Sequence, residues 1–187
     1  MKEFLLFTQS DNRWCNDVMT GVLDLPNITR EEQIKRWKYG TDTIGMTGCL
    51  ITSLCNAYNC NKNALIYTPA SLNLTLRQKK GYYVLRHKND CQIAQESFLY
   101  WDVAESVLGI EEIKHDFTKK IDLSEKGYYY LLRCPYDPYN GINSGHYNLI
   151  VDMHNDNPIH YDSDKGVIRT DYTQKHIDYR IIRIKLK

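Results

Sequence analysis

Apolar residues recur at helical spacing along the first half of the chain and alternate with polar ones along the second. The stretch "ITREEQIKRWKYG" offers Thr29 as an N-cap, with Glu32 three residues on as its capping-box partner. In "CLITSLCNAY", Leu50, Ile51, Leu54 and Tyr58 fall on one helical face, which predicts a helix with that face buried. "TPASLNLTLRQKKGYY" carries Thr68 as cap, Pro69 at the first helical position and Gly81 as terminator. "ESFLYWDVAESVLG" predicts a further short helix closing at Gly109. Beyond residue 120 the vocabulary changes. "KGYYYLLRC", "GHYNLIVDM", "PIHYDSD" and "YRIIRIKLK" are β-rich runs separated by turn clusters. Helices followed by strands joined in hairpins predict an α+β fold with an antiparallel sheet, as a single domain over residues 1–187. No internal repeat, low-complexity tract or linker interrupts it.

Charge and cysteine content narrow the function. The formal net charge is +1 and the basic residues are scattered, which argues against a nucleic-acid partner. No stretch approaches the about 18 apolar residues of a membrane span, so no stable membrane association is expected. "MKEFLLFTQS" has too short an apolar run for a signal peptide, which predicts synthesis and folding in the cytoplasm. The six cysteines are then expected as free thiols, and the lack of any C-x-x-C pair argues against structural zinc.

One of those thiols has a distinctive setting. In "GTDTIGMTGCLITSLCNAY", Cys49 follows Gly45 and Gly48 and opens the apolar helix. Unpaired backbone N–H groups and the helix dipole stabilise a thiolate there, and glycines allow close approach to a substrate. The plain alternative is a buried packing thiol, which is how Cys55 in the same helix reads. A cysteine nucleophile needs a base. His146 in "NSGHYNLIVDM" begins an apolar strand after a flexible turn, and His160 on the following strand is its close competitor. With a hairpin turning near residue 155, His146 and Asp162 lie almost opposite on one face, so Asp162 is placed to hold the imidazole. "DSDKG" is equally good turn chemistry, and both readings of Asp162 stand. In "SDNRWCND", Asp11 and Asp17 are calcium candidates without an EF-hand pattern, against an ordinary turn held by Asx side chains.

The blocks "FTQSDNRWCN", "TIGMTGCLITSL", "TPASLNLTL", "SGHYNLIVD" and "IHYDSD", in this order, resemble the papain-like cysteine peptidases related to bacteriocin-leader-processing peptidases. The resemblance implies a papain-like fold, with a helical part carrying the nucleophile packed on a sheet carrying the histidine. It implies Cys49 as nucleophile, His146 as base and Asp162 as the residue orienting it. Processing peptidases usually place a glutamine six residues before the nucleophile; Thr43 stands there. The oxyanion would then be met by Thr43, or by the Cys49 backbone N–H with a second donor such as Gln9. Ser163 follows Asp162 where relatives commonly have proline. No cofactor is required by this chemistry.

A compact chain of this kind, without spans or a nucleotide-binding domain, is similar to phage-encoded peptidoglycan hydrolases. That implies stem or cross-bridge peptides of the bacterial wall as substrate, reached after release from the cell. Leader-peptide processing is the alternative within the family. Outside it stands a silent papain-like cleft binding peptide or glycan, with Trp14, Trp37 and Trp101 as candidate lining.

Overall fold

The computed structural model describes residues 6–19, 43–89, 92–135, 145–170 and 180–187. The helix expected near residues 29–40, with Trp37 in it, lies outside the described residues. The described helices are a single turn α1 (Ile44–Thr47), the long α2 (Cys49–Lys62), α3 (Pro69–Gln78) and α4 (Trp101–Leu108). The strands are β1 (Tyr82–Asn89), β2 (Gln92–Leu99), β3 (Ile110–Lys114), β4 (Tyr128–Pro135), β5 (Gly145–His154), β6 (Asn157–Asp162), β7 (Val167–Arg169) and β8 (Arg180–Leu186). Strands β1 and β2 pair as a separate hairpin. The other six form one antiparallel sheet in the order β3-β8-β4-β5-β6-β7. The chain is α+β.

Local chemistry explains most of the boundaries. Thr68 and Ser71 form a reciprocal capping box at the start of α3, with Pro69 in the first turn, where its missing N–H costs nothing. α3 stops at Gln78, before the expected terminator. Gly81 closes it from outside, donating its N–H to Leu76 O at 2.8 Å while Lys80 takes a φ of 55°. Gly109 caps α4 at a φ of 62°.

Two expectations are corrected here. Residues 96–99, expected to begin the helix of "ESFLYWDVAESVLG", belong to strand β2, and the helix begins at Trp101. A short apolar run such as "SFLYW" satisfies either period, and pairing with β1 decides it. α2 is also not one-sided. Thr52, Ser53, Asn56 and Asn59 are buried along with Ile51, Leu54, Cys55 and Ala57, so it is a central helix wrapped by chain.

The main core lies between the helices and one face of the sheet, joining Leu54, Leu72 and Leu76 to Leu131, Leu149 and Ile184. A smaller cluster of Phe117, Ile121, Tyr130, Leu132 and Ile150 covers the opposite face. α2 packs on β5, and this contact brings the start of the helix to the start of the strand.

Candidate active site

Cys49 is the first residue of α2, with Gly48 as N-cap. The two glycines before it are closely packed against protein. A Cβ on Gly48 would stand 2.5 Å from Ile44 O, and one on Gly45 2.8 Å from Cys15 O. Gly45 also donates its N–H to Cys15 O at 2.9 Å. The glycines let α1 fold tightly against residues 15–17 and deliver the chain into α2. Cys49 is 9% exposed, buried yet reachable. Cys55, one and a half turns on, is fully enclosed; burial pushes its thiol up to about 12, against a hydrogen bond from Asn59 that lowers it.

His146 lies near the start of β5, and its side chain hydrogen-bonds that of Cys49. Its Nε2 stands 3.0 Å from Asp162 Oδ1. An ionised carboxylate only accepts, so Nε2 carries a proton, and Nδ1 is the nitrogen left to face the thiol. Burial disfavours a charged ring, but the bonds to Asp162 and Cys49 and the charges of both outweigh it, pushing His146 up to about 10. Burial likewise opposes charge on Asp162. Bonds from His146 and from the backbone of Lys165 and Asp164, with the imidazolium charge, hold it well below the carboxylate range. Both shifts run toward the charged forms, imidazolium and carboxylate.

Asp162 serves both purposes read from its sequence. Oδ1 accepts the backbone N–H of Asp164 at 3.0 Å and of Lys165 at 3.1 Å, which makes the turn, and also meets His146. Oδ2 stands 2.7 Å from Arg169 Nε on the adjacent β7. The strand register explains the reach. Leu149 pairs with Tyr161, so Asp162 falls level with Asn148, and His146 is its diagonal neighbour two residues along the same face. His160 is 1% exposed in the ladder between Ile150 and Arg169; the bonds to Cys49 and Asp162 belong to His146.

The backbone beside the histidine is pinned from two sides. Tyr147 O accepts the Ser53 hydroxyl from α2 at 3.0 Å and the Ser163 hydroxyl at 2.9 Å. Ser163 N–H in turn donates to Asn148 Oδ1 at 3.1 Å. Ser53 is one helical turn after Cys49, and Ser163 directly follows Asp162. A single carbonyl thus ties together the elements carrying the cysteine, the histidine and the aspartate.

The remaining candidates are placed by an extended N-terminal segment. Asn56 of α2 grips Phe7 through both its N–H, at 2.8 Å, and its carbonyl, at 3.0 Å. Gln9 N–H then donates to Ser163 O at 2.7 Å, and its Nε2 to Gly45 O at 3.1 Å. Gln9 is 4% exposed, and its Oε1 meets no donor among the described residues. It therefore bridges the aspartate turn and the loop before Cys49. Thr43 is buried at the N-cap of α1; its carbonyl holds Thr47, and its side chain makes no capping bond.

Asp11 is in the turn arrangement that the sequence also offers. Its carboxylate accepts the Arg13 N–H at 2.9 Å and pairs with the Arg13 guanidinium at 2.7 Å, the Asx arrangement. Asp17 contributes backbone, its carbonyl accepting Ile44 N–H at 2.9 Å. Among the described residues no three His, Cys, Asp or Glu gather as a metal group.

Comparison with protein-family models, with curated proteins and with solved structures found no match. Among the described residues no helix is long and apolar enough to cross a membrane. Cys15, Cys49, Cys55 and Cys60 are free thiols. Trp14 is core, edge-on to Phe7 and donating to Thr8 O at 2.8 Å; Trp101 packs on the main core and against His115.

Proposed function

We propose that this protein is a cysteine peptidase of papain-like arrangement, with Cys49 as nucleophile, His146 as acid and base, and Asp162 orienting the imidazole. The single observation that supports it is the chain of hydrogen bonds from Cys49 through His146 to Asp162 at the start of a helix. A cysteine at a helix start paired with imidazolium is set up to react as thiolate. The thiolate adds to an amide carbonyl carbon. The C–N bond then breaks as the imidazolium passes its proton to the leaving nitrogen. Water next attacks the thioester while His146 takes its proton, and the departing sulfur restores the starting pair, releasing a carboxylate. Asp162 keeps the Nε2 proton directed at itself, so Nδ1 does the proton transfer. Gln9 is our candidate donor to the oxyanion. Its Nε2 has two N–H groups, one of them given to Gly45 O in the loop leading to Cys49, which leaves the second as the donor.

The substrate class we propose is the stem or cross-bridge peptide of bacterial peptidoglycan, supported by the order of sequence blocks. Purified wall incubated with the protein should yield new amino and carboxyl termini, without new sugar reducing ends, and Cys49→Ala should abolish them. Cleavage of a double-glycine leader peptide with walls left intact would favour leader processing instead. An unreactive Cys49 with neither substrate cut would leave a binding module.

A further inference from the structure

One end of the sheet carries a polar cavity of about 200 Å3, lined by His115, Asp116, Arg133, Tyr147, Arg180 and Ile182. Its composition is set by the ladder. Arg133 of β4 is paired directly with Arg180 of β8 on one side and with Tyr147 of β5 on the other. Directly paired residues share a face, so the two guanidiniums and the phenol line one wall.

Like charges placed opposite one another in a ladder are destabilising unless an anion lies between them. Asp116 answers only part of this, with its Oδ1 3.6 Å from Arg180 Nε. Among the described residues no carboxylate pairs with Arg133. Among the described residues the two guanidiniums are therefore met by a single carboxylate, and the cavity's lining is net positive.

The cavity also adjoins the proposed chemistry. Tyr147 follows His146 directly, and its carbonyl is held by Ser53, one turn from Cys49. Burial lifts the Tyr147 phenol above its ordinary range; the Arg133 charge lowers it and the Cys49 charge raises it further.

We infer that this cavity is a subsite for a carboxylate of the substrate, held by Arg133 and Arg180 with Tyr147 as the wall nearest the nucleophile. Guanidinium is suited to this ligand, because its planar donors match a carboxylate in bidentate fashion. The inference rests on the reading of Cys49 as an acyl-transfer nucleophile. It deepens that reading by giving the enzyme a preference for acidic peptides.

The test compares alkylation of Cys49 by iodoacetate and iodoacetamide in the full chain, followed by mass mapping of the peptide that contains it. The two reagents differ chiefly in the carboxylate. The ratio of iodoacetate to iodoacetamide rates should fall about threefold to fivefold in Arg133→Gln and in Arg180→Gln, the effect of one partly solvated charge pair. It should fall less in Arg133→Lys, which keeps the charge and loses the planar fork, and in the unaltered protein it should fall as salt is raised. A ratio indifferent to both substitutions and to salt overturns the subsite. Should the glutamine variants fail to fold, the peptide arm decides the matter. A second arm uses peptide substrates. Replacing an acidic side chain beside the scissile bond by its amide should lower kcat/KM if that carboxylate is the ligand, and amidating the C-terminus should do so if the α-carboxylate is. Peptides cut equally well in all forms overturn the proposal while leaving the peptidase standing. A charge-sensitive alkylation ratio with no peptide cut would keep the anion site and remove the peptidase.

Discussion

The Ser53 hydroxyl donates to Tyr147 O at 3.0 Å, linking the first turn of the cysteine helix to the strand residue beside His146. The Ser163 hydroxyl donates to the same carbonyl at 2.9 Å from the turn after Asp162. Either serine alone leaves this buried carbonyl satisfied, and losing both does not. Ser53→Ala and Ser163→Ala should each cost about 1 kcal/mol of stability, and the double variant more than the sum, by roughly 1–2 kcal/mol. Chemical denaturation of the four proteins measures the coupling. Strict additivity would mean that the two bonds do not share a function.

The imidazolium of His146 should titrate late. NMR of the ring should show it protonated at neutral pH with a transition toward about 10, and Asp162→Asn should bring that transition down. The sign for stability follows. Folded His146 holds its proton to higher pH than the unfolded residue, with its ordinary value of 6.5. Its contribution is complete below 6.5 and declines as pH rises toward about 10. Asp162 runs the other way. Its contribution is present above the ordinary 3.8 and is lost only as strong acid protonates it. His146→Ala should remove the alkaline decline, which denaturation at several pH values will show.

Gly48→Ala should destabilise by about 1–3 kcal/mol, since the new methyl meets the Ile44 backbone, which cannot move as a side chain would. Cys49→Ala should stay within about 1 kcal/mol of the unaltered protein, because it is a near-isosteric change at a partly open site. Thermal denaturation compares the two. A Gly48→Ala protein as stable as the parent would show that the glycine is there for something other than close packing.

The sequence carried the candidate catalytic residues better than their supports. Cys49 was legible because glycine, cysteine and an apolar period coincide, and the His146–Asp162 face because the true register differs from the expected one by an even number of residues. The expected opposite pairing is a diagonal one, and the extra residue of β5 between Ile150 and Asp152 is what returns His146 to the face of Asp162. Ser53 and Ser163 left no signal, because a serine bonded to a distant carbonyl looks like any other serine. Arg133 and Arg180 are separated by 46 positions and meet only through the ladder. The β1–β2 hairpin was missed because "YYVLRHKN" and "QIAQESFL" mix charge into their alternation, and the three residues of β7 are too few to show a period.

The most direct test of the central claim is where the acyl group goes. The protein is mixed with an activated peptide ester, quenched in acid within the first turnover, digested, and each cysteine-containing peptide is weighed. The acyl mass should sit on Cys49 alone, persist longer in His146→Ala if it forms there at all, and vanish in Cys49→Ala. Cys55, held as a neutral thiol by burial, should stay unmodified. Acyl transfer to another cysteine, or undiminished peptide hydrolysis by Cys49→Ala, would contradict the account.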